Sequence, residues 1–374
     1  MYYVALRMLM GDTTRYLALV LGLAFSAMLV MQQGSIFTGI MRRAASSVER
    51  VPQVDIWVMH PATQYFEERK GIPDTALQRV RGVEGVDWAE PLMIGGGSAI
   101  LPGGKFVAIQ VVGFDRVSKL GLPSRFEEGA PELIEQPDAV FWDNVGVDLY
   151  KSIRPGDVLE INDRRARVVG LVAAPRSFVG GAVVYTTLER AREYAPGERT
   201  RLSFVMVGGK QGYDHAEVSA RIRETTGLGA RTTSQFFWST VSFFMRNTGV
   251  TINFGITVLL GLLVGAVVAG QTFYAFTMEN IRHFGTLKAL GVSNVLLVKM
   301  VLLQAALVGM TGWGLGAGMA ALFGLNITPR STIAFLMTPQ LLAISFVCML
   351  LTMLLAAYVS VRRVMKVEPA IVFR

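Results

Sequence analysis

Cysteine is almost missing from this 374-residue chain. The single one, Cys348, sits in an apolar stretch, so a disulfide-stapled secreted fold is excluded. Histidine is nearly as scarce, with three residues, and no His-x-x-x-His or His-Glu-x-x-His spacing occurs. Gly-x-Ser-x-Gly is missing too, so neither a metal site nor a nucleophile elbow is in view. Charge is thin as well: 17% of residues are Asp, Glu, Lys or Arg, against about 25% in a soluble domain. With 52% hydrophobic residues and a mean hydropathy of +0.43, neither a soluble enzyme nor a disordered chain fits.

The missing charge is concentrated in four windows that hold no Asp, Glu, Lys or Arg. They are Tyr16–Met41, Asn247–Met278, Met300–Pro329 and Ser331–Val361, of 26, 32, 30 and 31 residues. A transmembrane helix needs about 20 apolar residues, so each window can span. The first is longer than a usual signal core of about 7–15 residues and reads as an uncleaved anchor. Between the first two windows lies 42–246, 205 residues of mixed composition with 26 Lys/Arg and 25 Asp/Glu. Of the net charge of +8, +7 therefore belongs to the membrane part, which makes nucleic acid the poorer explanation for it. Arg7, Arg15, Arg282, Lys288, Lys299, Arg362, Arg363, Lys366 and Arg374 flank the spans on one side, and only Arg330 lies in the opposite link. The positive-inside rule puts both termini and the loop at 279–299 in the cytoplasm, with 42–246 outside, although Arg42 and Arg43 oppose this locally.

The expected fold class is an α-helical membrane protein with four transmembrane helices and a large α+β extracytoplasmic domain inserted between the first two. The expected segments are a cytoplasmic 1–15, a first span at 16–41, the outer domain at 42–246, a second span at 247–278 and a cytoplasmic segment at 279–299. A third span at 300–326, a short outer loop at 327–333, a fourth span at 334–361 and a cytoplasmic tail at 362–374 follow. In the outer domain, strands and helices read as two halves, about 51–114 and 201–233, around an inserted strand-rich subdomain at about 115–200. Gly95–Gly97 and Gly103-Gly104-Lys105 look superficially like phosphate loops. Neither fits Gly-x-x-x-x-Gly-Lys-Ser/Thr, so both read as hairpin turns and the chain has no nucleotide site of its own.

Small residues recur in the spans at the spacing that lets helix backbones approach: Gly261 with Gly265, Gly312 with Gly316, and Gly314 with Gly318. No window has an interior acidic residue or histidine to carry a proton relay. In 279–299 the apolar residues Ile281, Phe284, Leu287 and Leu290 recur every three residues, with Gly291 placed to end a helix and Ser293 or Asn294 to start the next. Such a helix can lie in the headgroups or dock into a groove on a partner, and periodicity does not choose.

The run Glu279-Asn280-Ile281-Arg282-His283-Phe284-Gly285-Thr286-Leu287-Lys288-Ala289-Leu290-Gly291 resembles the cytoplasmic signature of the MacB/FtsX-type (type VII) ABC transporter permeases. The tail from Arg362 to Ala370 and the segments Arg154–Asp157 and Arg167–Gly170 resemble that family as well, with the DevC-like and haem-exporter (HrtB-like) branches nearest. The resemblance implies a homodimer bound to two copies of a cytoplasmic ABC ATPase in the inner membrane. ATP and Mg would sit in that ATPase and no cofactor in this chain. A periplasmic adaptor and an outer-membrane channel are further candidate partners, besides membrane lipids. It also implies mechanotransmission, in which ATPase closure moves the outer domains. Coupling then falls on Glu279, Arg282, Phe284, Gly285, Leu287, Lys288, Leu290 and Gly291, with Phe284 and Leu287 entering one groove on the ATPase. The implied function is export of an amphiphile (lipid, peptide, drug or haem) from the outer leaflet; a regulator that activates an extracytoplasmic cell-wall hydrolase is the alternative. The size of the outer domain favours export, and a membrane-anchored sensor without an ATPase is disfavoured by the signature. Met28, Met31, Gln32 and Met245 are the candidate substrate contacts, Met28, Met31 and Met245 as the donors a haem would need.

Overall fold

The computed structural model describes residues 2–68, 70–143, 153–174, 181–198, 200–327 and 333–365. Two units emerge: Met1–Ile40 with Gly249–Arg374, and Met41–Thr248. The chain opens with α1 (Tyr2–Gly11) and α2 (Thr13–Ala45).

The second unit is α+β. Its strands are β1 (Ile56–Met59), β2 (Ile72–Pro73), β3 (Val86–Leu101), β4 (Lys105–Phe114), β5 (Phe126–Glu128), β6 (Ala139–Asp143), β7 (Val158–Ile161), β8 (Arg164–Val172), β9 (Ala182–Thr187), β10 (Arg201–Leu202), β11 (Phe204–Gly209) and β12 (Gly229–Thr232). Its helices are α3 (Ala76–Arg81), α4 (Leu188–Tyr194), α5 (His215–Thr226) and α6 (Thr233–Asn247). Ten strands form one sheet in the order β12-β1-β11-β3-β4-β9-β6-β8-β5, with β7 paired to β3 and β8. Pairings are antiparallel except β4 with β9 and β6 with β8. The strands between 115 and 200 thus continue the sheet of the flanking halves instead of forming a separate subdomain, because β9 pairs directly with β4.

Gly95–Gly97 is not a turn. These glycines lie inside β3, where Ala195 sits so close that a Cβ on Gly95 would come within 2.3 Å of it. Only Gly103 and Gly104 make the hairpin, at φ +96° and +82°, which glycine adopts at no steric cost. Strand β6 escaped the sequence pattern because all five of its residues are buried, leaving no alternation to read. Around Trp57 the rings of Phe66 and Phe204 pack at centroid distances of 5.5 Å, edge-on, and Phe236 of α6 at 6.3 Å. A capping box starts α6: Thr232 Oγ1 accepts from Gln235 N, and Gln235 Oε1 accepts from Thr232 N.

The first unit holds α7 (Val250–Glu279), α8 (Ile281–Ala289), α9 (Asn294–Ile327) and α10 (Pro339–Met365) beside α1 and α2. Helices α2, α7, α9 and α10 are long and apolar enough to cross a membrane. α10 begins five residues later than the expected 334, because Pro339 fits the first helical position, where its missing N–H is no loss. The preceding segment is extended, and Leu336 N donates to Ser35 O at 2.9 Å. Arg330, Lys366–Ala370 and Arg374 lie outside the described residues.

Glycines bring α7 and α9 close to α2. A Cβ on Gly265 would meet Ser26 Oγ at 2.2 Å, and Ser26 Oγ donates to Gly261 O at 2.7 Å. A Cβ on Gly312 would meet Leu23 at 2.9 Å, and one on Gly316 would meet Ala24 O at 2.5 Å. Gly261 through Gly316 therefore mark two seams, α2 with α7 and α2 with α9. Gly314 and Gly318 have nothing within 4 Å, so their motif packs against nothing among the described residues. They sit two residues from Gly312 and Gly316, about 200° around the helix.

Candidate coupling helix and its surroundings

α7 ends at Glu279, and Asn280, whose side-chain Nδ2 donates to Phe276 O at 2.9 Å, separates it from α8. The far end of α8 closes by a Schellman turn: Gly291 N donates to Lys288 O, and Val292 N to Leu287 O, both at 3.1 Å. Gly291 takes φ +88°, the left-handed conformation that favours glycine. Val292 and Leu287 pack against the same apolar core, so the turn is fixed on both its polar and apolar sides. Asn294 then begins α9 directly, with Leu297 N donating to Ser293 O at 3.2 Å.

The stripe of α8 turns inward. Phe284 is 0% exposed, packed in the core that α1, α7, α9 and α10 share. Gly285 is buried beside it and Leu287 half-buried against the same core. Phe284 is thus not free to enter a partner's groove, which corrects the sequence expectation for it, and Leu287 has part of its surface on the same core. The Phe284 surface is used by the chain's own helices, whose burial of a Phe side chain supplies about 1.5–3 kcal/mol. What α8 exposes is the opposite face, Arg282, His283, Thr286 and Ala289, ending on Leu290, which is 76% exposed.

Polar contacts hold α8 at both ends. Glu279 pairs with Arg15 of α2, whose Nε also bonds Asp12 Oδ2 at 3.1 Å. Lys288 Nζ donates to Met365 O at the end of α10, 3.1 Å away, so Lys288 serves the fold as well as the face. Gln304 Nε2 donates to Ala5 O at 2.8 Å, tying α1 to α9. Arg15 was missed from the sequence, because its link to Glu279 crosses 264 positions. The signal available was one arginine beside the first span, matched to one acidic residue at the end of the second. A cleft of about 560 Å³ opens along α1 and the α7–α8 junction, lined by Arg7, Asp12, Arg15, Glu279 and His283 among others.

The substrate candidates divide between the two units. Met31 is fully buried, Met28 and Gln32 are half-buried on α2, and Met245 is exposed on α6 of the other unit. Among the described residues no group of three His, Cys, Asp or Glu side chains could hold a metal ion.

Known proteins match these features. The family model described as a MacB-like periplasmic core domain matches residues 17–225, and that described as an FtsX-like permease C-terminal region matches 255–369. An uncharacterised ABC transporter permease of Mycobacterium bovis is 27% identical over 238 residues, 62% of this chain and 61% of that protein. A macrolide export ATP-binding/permease protein, MacB 1 of Escherichia coli, is 23% identical over 233 residues, 59% of this chain and 35% of its own length. The alignments thus span about three fifths and one third of these two relatives. The crystal structure of the periplasmic region of MacB from Actinobacillus actinomycetemcomitans covers 54% of this chain and 96% of itself, at 13% identity and a TM-score of 0.37.

Proposed function

We propose, from the premise that this chain belongs to the MacB/FtsX family of ABC transporter permeases, that it is the membrane subunit of an ATP-driven exporter acting by mechanotransmission. It is a membrane protein with four apolar helices. The carrying observation is the exposed face of α8, Arg282, Thr286, Ala289 and Leu290, on a helix whose other face is locked to the spans through Phe284. A push on that face is delivered to α2 through Glu279 and Arg15, and to α10 through Lys288. The E. coli relative carries ATP-binding and permease functions under one name, whereas this sequence has no phosphate loop. In this reading, which the permease family supports, the ATPase is a separate subunit, in two copies on a permease homodimer, with ATP and Mg bound there. The substrate in this reading is an amphiphile taken at the outer leaflet. When the pair is reconstituted, substrate should raise ATP turnover with the wild-type permease and not with Leu290→Asp; equal stimulation of both would defeat the reading.

The accompanying orientation has both termini in the cytoplasm and 42–246 outside, supported by the Lys/Arg distribution. With Cys348 replaced by alanine, cysteines at Val117, which is 90% exposed, and at Ser293 should react with a membrane-impermeant maleimide from opposite sides. Reaction of both in intact cells would defeat this topology, and reaction at Ser293 alone would reverse it.

A further inference from the structure

Helix α6 is unlike the other helices of its unit. Gln235, Ser239, Ser242 and Arg246, spaced four, three and four residues apart, form one polar face on an otherwise aromatic helix. Ser239, Ser242 and Arg246 of that face line a pocket of about 250 Å³ together with Gln64, Arg231, Asn247 and Phe243. Phe243 stacks on Tyr65 at a centroid distance of 4.4 Å, which stiffens this wall.

The pocket is lined by two arginines and no carboxylate. Arg231 Nη1 donates to Thr63 O at 3.0 Å and to Ser239 Oγ at 3.3 Å, both neutral acceptors. Glu68, the carboxylate whose charge reaches Arg231, is itself paired with Lys70 at 2.7 Å. Burial, and then the neighbouring Arg223, push the Arg231 guanidinium below its ordinary range. Arginine nevertheless stays protonated in proteins. Among the described residues neither Arg231 nor Arg246 has an ion pair, so the lining of the pocket carries a net positive charge.

Two further observations narrow what would compensate it. Trp238, 64% exposed, and Met245, 42% exposed, flank the polar face of α6 on one side and give an apolar strip beside the charged pocket. Arg246 is also four residues before α7 begins, at most about 14 Å of extended chain from the first residue of a span. An exposed tryptophan close in the chain to a span is typical of membrane interfaces, where one end of a side chain is apolar and the other wet.

We propose that this pocket binds the phosphate of an anionic phospholipid headgroup, with an acyl chain lying along Trp238 and Met245. Guanidinium forks match phosphate oxygens in pairs, and Ser239, Ser242, Asn247 and Gln64 supply neutral partners. The inference rests on the reading that this chain handles amphiphiles, and it names the headgroup chemistry and the site.

The test uses the full chain in detergent micelles, titrated with fluorescent phosphatidylglycerol. Diacylglycerol serves as the phosphate-free lipid and inorganic phosphate as the tail-free anion. Arg246→Gln is the decisive variant, because Arg246 is exposed and its loss spares the contacts of Arg231 that hold Thr63. It should weaken phosphatidylglycerol binding about tenfold, the loss expected for one charge-assisted contact, and Arg246→Lys should recover part of it. Diacylglycerol should bind far more weakly than phosphatidylglycerol, and the lipid should blue-shift tryptophan emission in wild type but not in Trp238→Phe. Equal phosphatidylglycerol binding by wild type and Arg246→Gln would overturn the site. Full displacement by millimolar inorganic phosphate, with no Trp238 signal, would make the occupant a free anion and overturn it equally. ATPase capture on the same preparation separates the two readings: its loss with lipid binding intact strikes the exporter reading alone, and its retention with lipid binding insensitive to Arg246→Gln strikes this one alone.

Discussion

Leucine at position 316 is expected to unfold the packing of the membrane unit, while leucine at 318 leaves it intact. At Gly316 even a Cβ would stand 2.5 Å from Ala24 O, 2.6 Å from Ala27 Cβ and 2.8 Å from Met28 N. Two of those three atoms are backbone in the middle of α2, so no rotamer change relieves the overlap. Overpacking usually costs about 1–3 kcal/mol, and a site that cannot yield belongs at the upper end. The expected loss for Gly316→Leu is therefore about 3 kcal/mol, read as a lower unfolding temperature of the detergent-purified protein. Gly318 has open space around it, and Gly318→Leu should unfold with the wild type. Equal destabilisation by both would mean that α9 packs through the other face, and equal tolerance would mean that the glycines do not set the α2–α9 seam.

The second large effect separates fold from docking on α8. Phe284→Ala removes a fully buried ring from the core of the membrane unit, which costs about 3–5 kcal/mol of stability. Any ATPase binding lost with it is lost because the helix is loosened. Leu290→Asp changes a residue that is 76% exposed and beyond the last helical turn, so stability should hold. If Leu290 is an interface anchor, its removal costs about 2 kcal/mol or more, roughly a thirtyfold loss of ATPase affinity. Thermal unfolding and ATPase pull-down on the same two variants give opposite patterns. A stable Phe284→Ala protein that fails to bind ATPase would restore the docking role that burial denies it.

These two contrasts also mark where the sequence was readable. The spans were legible because lipid leaves no room for unpaired charge, and each of the four charge-free windows contains most of a long helix. The turn at Gly291 was legible because one residue type suits its backbone. The direction of the α8 stripe was not. A period of three residues shows that Phe284 and Leu287 share a face, and the same apolar face suits either a partner's groove or the chain's own core. Leu297, Met300 and Val301 of α9 occupy that side, and only their placement decides it. The pocket at Arg231 and Arg246 was illegible for a related reason. Gln64 and Arg231 are brought together by β12 pairing with β1, a contact between distant segments. Its local trace was present in the Ser239, Ser242, Arg246 spacing, hidden among the aromatic residues of α6.

The central claim is that the exposed face of α8 meets an ABC ATPase while its buried face holds the spans. A photo-cross-linking amino acid placed at Leu290, and in a second protein at Phe284, tests this in the intact membrane. Position 290 should capture a protein whose peptides contain the Gly-x-x-x-x-Gly-Lys-Ser/Thr loop, and position 284 should link only within the permease. Capture of that ATPase from position 284, or of lipid alone from position 290, would contradict it.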